Sequence, residues 1–349
     1  MDGRQRRPKG RRAVAAAALA GAAHCGVSLS FANPGPQSRL PILSRAGTLE
    51  RSPQPRVTRA VGEVEVASYA APAAGVVAVA LLGSAAQLQR GLGMEPPSEA
   101  SDGFFGPKRW RIRTLAIAGT WIALLTYSVL LAPGKSPDER VADQALIQQI
   151  FTTPFDGSVN PLFCCIFNML GIWPMIYAAT LLPGADRQSP APALPFVAGS
   201  FFLGAFALSP YLALRENRSV AGQSGEIDWA TANILENRLT AVVLLAFAAY
   251  LALFAVGNGV IGGFSPSEAL SGFMPVFGSS LTAHVSSLDF MVLWMLFGPV
   301  LLEDGRRRGV FLGSPDSWSA GNKAQFAVSA LLPVFGGLAW LLSRPPLPK

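Results

Sequence analysis

Two runs of this chain, Pro161–Pro183 and Ala191–Leu214, contain no charged side chain, and only the short polar link Gly184–Pro190, with Asp186 and Arg187, lies between them. A helix rises about 1.5 Å per residue, so either run is long enough to cross a hydrocarbon core of roughly 30 Å. The link is too short for a folded domain. The expectation is an antiparallel transmembrane hairpin, and with it a membrane protein.

Composition agrees. Charged residues make up 14% of the chain and hydrophobic residues 50%, against about 25% charged in ordinary soluble domains. The apolar residues come in charge-free blocks, where a soluble core would interrupt them with a polar face. The net charge of +7 collects at the N-terminus, where Asp2 and Glu50 are the only acids before Arg59. It therefore reads as a targeting segment with membrane-flanking charges, and not as a nucleic-acid surface. The three cysteines, Cys25, Cys164 and Cys165, are too few for a disulfide framework or a zinc site. Cys164 and Cys165 are read as small packing residues.

Met1–Arg12 is basic, Ala13–Ala23 is an alanine-rich apolar run, and Phe31 follows in a stretch rich in Ser, Arg and Pro. The order of a signal-like segment, Ser30-Phe31-Ala32 and a transit-like stretch resembles the bipartite plastid leader of algae with complex plastids. Residues 1–60 are set aside as leader, residues 61–157 as N-terminal spans with an interfacial helix, and residues 158–349 as a C-terminal bundle.

Further spans are expected at Val66–Leu88, at Thr114–Pro133 behind the basic collar Lys108–Arg113, at Leu239–Gly263 and at Ala324–Leu342. Within Gly134–Asn160, Val141, Leu146, Ile147, Ile150 and Phe151 recur at helical spacing and predict a short amphipathic helix on the membrane surface. Ala269–Leu302 is longer than one span and shorter than two. It predicts a helix from near Ala283 to Leu302, preceded by an interfacial or re-entrant piece and closed by the charged stop Glu303–Arg308. The fold class is all-α, a polytopic transmembrane bundle of six to seven spans. Positive-inside counting places Arg215–Arg238 and Glu303–Lys323 on one side. The collar Lys108–Arg113 disagrees, because strict alternation puts it on the other.

Phe167-Asn168-x-x-Gly171-x-Trp173-Pro174-x-x-Tyr177, with a second helix ending in Pro210-Tyr211, resembles multi-pass membrane proteins of plants, algae and cyanobacteria that have no assigned activity. The resemblance begins near Asn160. It implies a plastid membrane, thylakoid or inner envelope, and carries over no reaction, cofactor or catalytic residue.

Polar residues inside the apolar runs are the candidates for function, since a charge in the bilayer is costly. They are Asn168, His284 and Asp289. Asp289 also has a structural explanation, as a carboxylate near a helix start. No P-loop, nucleophile elbow, HExxH or CxxC is present. The histidines His24 and His284 are too few for a histidine-rich di-iron site. The first expectation is a non-enzymatic scaffold, assembly or accessory subunit whose partners are the lipid bilayer and other membrane proteins. The alternative is a small-solute or ion/proton transporter using Asn168, His284 and Asp289; a lipid-modifying enzyme comes third, without a motif. No cofactor, metal or nucleic acid is expected.

Overall fold

The computed structural model describes residues 73–80, 112–184, 191–215, 227–257, 260–261 and 264–348. The leader, the collar Lys108–Arg111 and most of the expected span Val66–Leu88 lie outside them; residues 73–80 are helical. Helix is the regular structure throughout the described residues, so the all-α bundle is borne out.

Helix α1 (Ile112–Thr126) continues into a π-helical turn, Tyr127–Leu131. Helix α2 (Pro137–Thr152) is the expected amphipathic helix, started by a capping box in which Ser136 and Glu139 each bond the other's backbone N–H. It leaves Val141 and Phe151 exposed and buries Ile150 and Asp143. Helix α3 (Pro161–Leu181) begins on Asn160, whose side chain accepts from Leu162 N and Phe163 N and donates to Ala269 O. That last bond ties it to α6 (Pro266–Ser279), which stands where the interfacial or re-entrant piece is expected before the long helix. Helix α7 (Leu281–Arg307) runs through the anticipated charged stop. Asp143 of α2 caps its start, accepting from the Ser280 hydroxyl and from Thr282 N at 2.9 Å.

α3 and α7 lie parallel at the centre. Trp173 packs against Phe290 and Phe297, the Tyr177 hydroxyl donates to Leu293 O at 2.6 Å, and Arg307 reaches Thr180 O. α5 (Arg238–Val256) runs against them: Glu236 before its start meets Arg308, and Phe254 near its end meets Phe155 just ahead of α3. α1 is antiparallel too, since Tyr127 near its end meets His284 at the start of α7. The bundle therefore has an α2 end, where α3 and α7 begin, and an arginine end, where they finish.

The expected second span is overturned. Ala193–Leu214 has the length and apolarity of a span, yet Gly204 sits at φ 50°, ψ −127° and reverses the helix. Phe196 and Tyr211 stack with ring centroids 5.5 Å apart, whereas a straight helix would separate their Cα atoms by about 22 Å. Helix α4 (Ala193–Leu214) is thus two arms folded together, each about 15 Å long, half the depth of a hydrocarbon core. Arg215 bonds Glu303 near the end of α7, so α4 enters and leaves at the arginine end.

Ala324–Leu342, expected as the last span, behaves likewise. It divides into α8 (Ala320–Leu331) and α9 (Phe335–Ser343), turned on Pro333 and on Val334 at φ 63°. Gln325 donates to the Ser343 hydroxyl at 3.0 Å across the two arms. The six or seven spans reduce, among the described residues, to four crossing helices (α1, α3, α5, α7) and two re-entrant pairs. With α4 not crossing, the start of α1, Arg215, residues 227–238, Glu303–Lys323 and Arg344 all fall at the arginine end.

Re-entrant backbone inside lipid must have its polar groups met by protein. Pro210 has no N–H, which leaves Phe206 O without its intrahelical donor; the Trp121 indole of α1 supplies one at 2.9 Å. Trp294 of α7 does the same for Ala330 O at the end of α8, at 3.0 Å. Asp289 accepts from Ala205 N, the first donor after the α4 turn, at 2.6 Å.

Candidate functional site

The three intramembrane residues singled out by sequence are not brought together. Asn168 donates to Cys164 O one turn back at 2.8 Å and is satisfied within α3. His284 is buried near the α2 end, with Nδ1 2.8 Å from Phe277 O and Nε2 2.8 Å from the Tyr127 hydroxyl, and with its ring stacked on Phe277 at 4.0 Å. A carbonyl only accepts, so Nδ1 carries the proton and, in the neutral ring, the Tyr127 hydroxyl donates to Nε2. Asp289 stands alone of the three at a backbone turn. Its carboxylate lies directly against Gly204, where a Cβ would collide with it.

The larger polar assembly was read in the sequence as a charged stop, and it is buried. Arg215 forms a two-pronged pair with Glu303, Nη1 to Oε1 at 3.1 Å and Nη2 to Oε2 at 2.9 Å. Oδ2 of Asp304 meets Arg308 Nε at 3.0 Å, Arg344 Nη1 at 3.3 Å and the Trp340 indole at 2.8 Å. Glu236 receives Arg308 at 2.7 Å and Arg344 at 3.0 Å. Arg307 Nη2 donates to Thr180 O and Arg344 Nη1 to Ala179 O, both at 2.8 Å. These are carbonyls of the last turn of α3, which lack intrahelical donors and sit at the negative end of the helix dipole.

Burial works against the charge on Arg215, but Glu303 beside it raises the guanidinium pKa above its ordinary value. Burial opposes Arg308 as well, and Asp304 and Glu236 raise it. At Arg344 burial prevails and the pKa falls.

Arg307 is different. Its side chain is wholly buried, and Nε and Nη1 have no hydrogen-bond partner among the described residues. Glu303 is 3.7 Å from its other amino group. Gly184 lies flat against the guanidinium: a Cβ there would be 2.6 Å from Nη1. Buried donors are ordinarily met, so this guanidinium edge is a candidate for an anionic group.

The signal for this site was in the sequence. Arg215 and Arg344 each follow directly on an apolar run, as Glu303–Arg308 does. Such charges usually snorkel to the headgroups, and only the folded-back helices place them inside. Among the described residues no cluster of His, Cys, Asp and Glu is placed to hold a metal ion. Comparison with protein-family models, with curated proteins and with solved structures gives no match.

Proposed function

We propose that this chain is a membrane transport protein for a small anionic solute, working from the arginine end, and that it resides in a plastid membrane. The observation that carries the reading is the pair of re-entrant helix hairpins, α4 and α8–α9, on one long helix. Broken helices inside a membrane are tolerated where they are buried in protein or line a path for solute, and transporters place binding groups at such breaks. Arg307, with donor groups unmet in a buried cluster, supports an anion as the solute class. The leader-like N-terminus and the Phe167–Tyr177 string support the plastid.

Purified full-length protein reconstituted in liposomes tests this. Uptake of labelled inorganic phosphate or a small carboxylate above that of empty liposomes is expected, with loss on Arg307→Met. Absence of flux, together with migration in a larger complex in mild detergent, overturns transport and favours the scaffold reading. A fluorescent fusion of the whole chain outside the plastid overturns the location.

A further inference from the structure

We infer that Asp289 is the proton-binding site of this protein and that its carboxylate latches the re-entrant hairpin α4. The inference gives the transport reading its coupling ion, but the latch has a test of its own.

The geometry is specific. The chain reverses at Gly204, in a backbone conformation open to glycine and strained for other residues. The second arm begins at Ala205, and its first N–H points at Asp289 Oδ1 across 2.6 Å. A helix N-terminus carries partial positive charge, so an ionised carboxylate there is held more tightly than a neutral one. Asp289 is 6% exposed and lies along α7 about 21 Å from Glu303, well away from the ionic cluster.

The groups facing it are few. On α3, Tyr177 is buried within electrostatic reach of both Asp289 and Arg215 and is held by Leu293 O. On α7, His284 is engaged by Tyr127 of α1 and by Phe277. On α4, Tyr211 stacks on Phe196, and Arg215 is paired with Glu303. None of these bonds the carboxylate in the described contacts.

A proton taken from water adds to a carboxylate oxygen and gives the neutral acid. The bond from Ala205 N then loses its charge assistance, while no covalent bond elsewhere changes. The tip, which already turns Phe202 and Leu203 outward, is freed to move about Gly204.

Hydrogen exchange followed by mass spectrometry on the full chain in liposomes reads the latch directly. After correction for intrinsic rates, wild-type amides around 199–206 should exchange about tenfold faster in mildly acidic than in mildly alkaline buffer. Asp289→Asn should exchange fast at both. Asp289→Glu should restore the pH dependence, which guards against a merely misfolded Asn variant. Infrared spectra should show a protonated-carboxyl band in acid that Asp289→Asn lacks. Tip exchange that ignores pH in the wild type, or that stays pH-dependent in Asp289→Asn, overturns the proposal. Solute flux with a pH-independent tip sinks the latch alone; a pH-dependent tip without flux sinks the transport reading alone.

Discussion

A Cβ placed on Gly199 lies 3.3 Å from the Cβ of Ala207. In a continuous helix these positions would be about 12 Å apart. Disulfides form at Cβ separations of about 3.5–4.5 Å, so the double variant Gly199→Cys/Ala207→Cys should close an intramolecular bridge under mild oxidation. The background should have Cys25, Cys164 and Cys165 replaced by Ala. Mass spectrometry of the joined peptides checks it. A pair that stays reduced under conditions that oxidise a control pair across α8 and α9, Gln325→Cys/Ser343→Cys, would argue for a straight α4. Gly204→Ala should be poorly tolerated, because the new methyl meets the Asp289 carboxylate. Strain and overpacking together imply a loss of roughly 3 kcal/mol or more, read as a lower unfolding temperature in detergent.

The indole of Trp121 and the missing N–H of Pro210 meet at Phe206 O. This makes a testable cycle. Trp121→Phe leaves a buried carbonyl unmet and should cost about 1–3 kcal/mol. Pro210→Ala restores an intrahelical N–H to the same oxygen, so the cost of Trp121→Phe should fall markedly in that background. Additive effects of the two substitutions, measured by chemical unfolding in detergent, would mean that the indole acts through packing alone.

Much of this architecture was legible in the sequence, and the misreadings have one origin. The charge-free run that became α3, the capped α2 and the piece before α7 follow from apolar length and polar punctuation. The runs that became α4 and α8–α9 have that same length, but length does not distinguish one helix of span length from two short arms joined end to end. In α4 the reversal rests on a single residue, Gly204, which in sequence reads as a small residue suited to helix packing. In α8–α9 it rests on Pro333 and Val334. Once the last span is miscounted, Arg344 appears to lie on the side opposite Arg215–Arg238 and Glu303–Lys323. Its meeting with Glu236 and Asp304 is then invisible. Asp289 was legible as a costly buried acid; its partner Ala205 was not, because the contact exists only when α4 folds back.

Asp304 is the acceptor on which the second half of the ionic cluster depends. Its Oδ2 receives Arg308, Arg344 and the Trp340 indole. Asp304→Ala therefore leaves Arg308 and Arg344 in a buried site with Glu236 as their one remaining carboxylate partner among the described residues. Breaking a buried pair by removing one partner costs about 3–5 kcal/mol, and here α9 should also detach from α7. The expected result is a large fall in thermal stability and faster proteolysis at the C-terminus. Glu139→Gln, which alters an exposed capping box on α2, should cost about 1 kcal/mol or less. Equal effects of the two would show that the cluster is solvated and unimportant to stability.

Topology gives the most direct test. A crossing α4 would put its two ends on opposite sides of the membrane; a re-entrant α4 puts them on the same side. Pro192 precedes α4 and Asn237 precedes α5, and both are exposed, as is Ser267 at the start of α6. Single cysteines at each, in the cysteine-free background, should be labelled by a membrane-impermeant maleimide in sealed vesicles of one orientation. Pro192→Cys and Asn237→Cys should react from one face, and Ser267→Cys only after the vesicles are opened or inverted. If Pro192→Cys and Asn237→Cys react from opposite faces, α4 crosses the bilayer, Arg215 cannot reach Glu303, and the buried cluster does not form in the membrane.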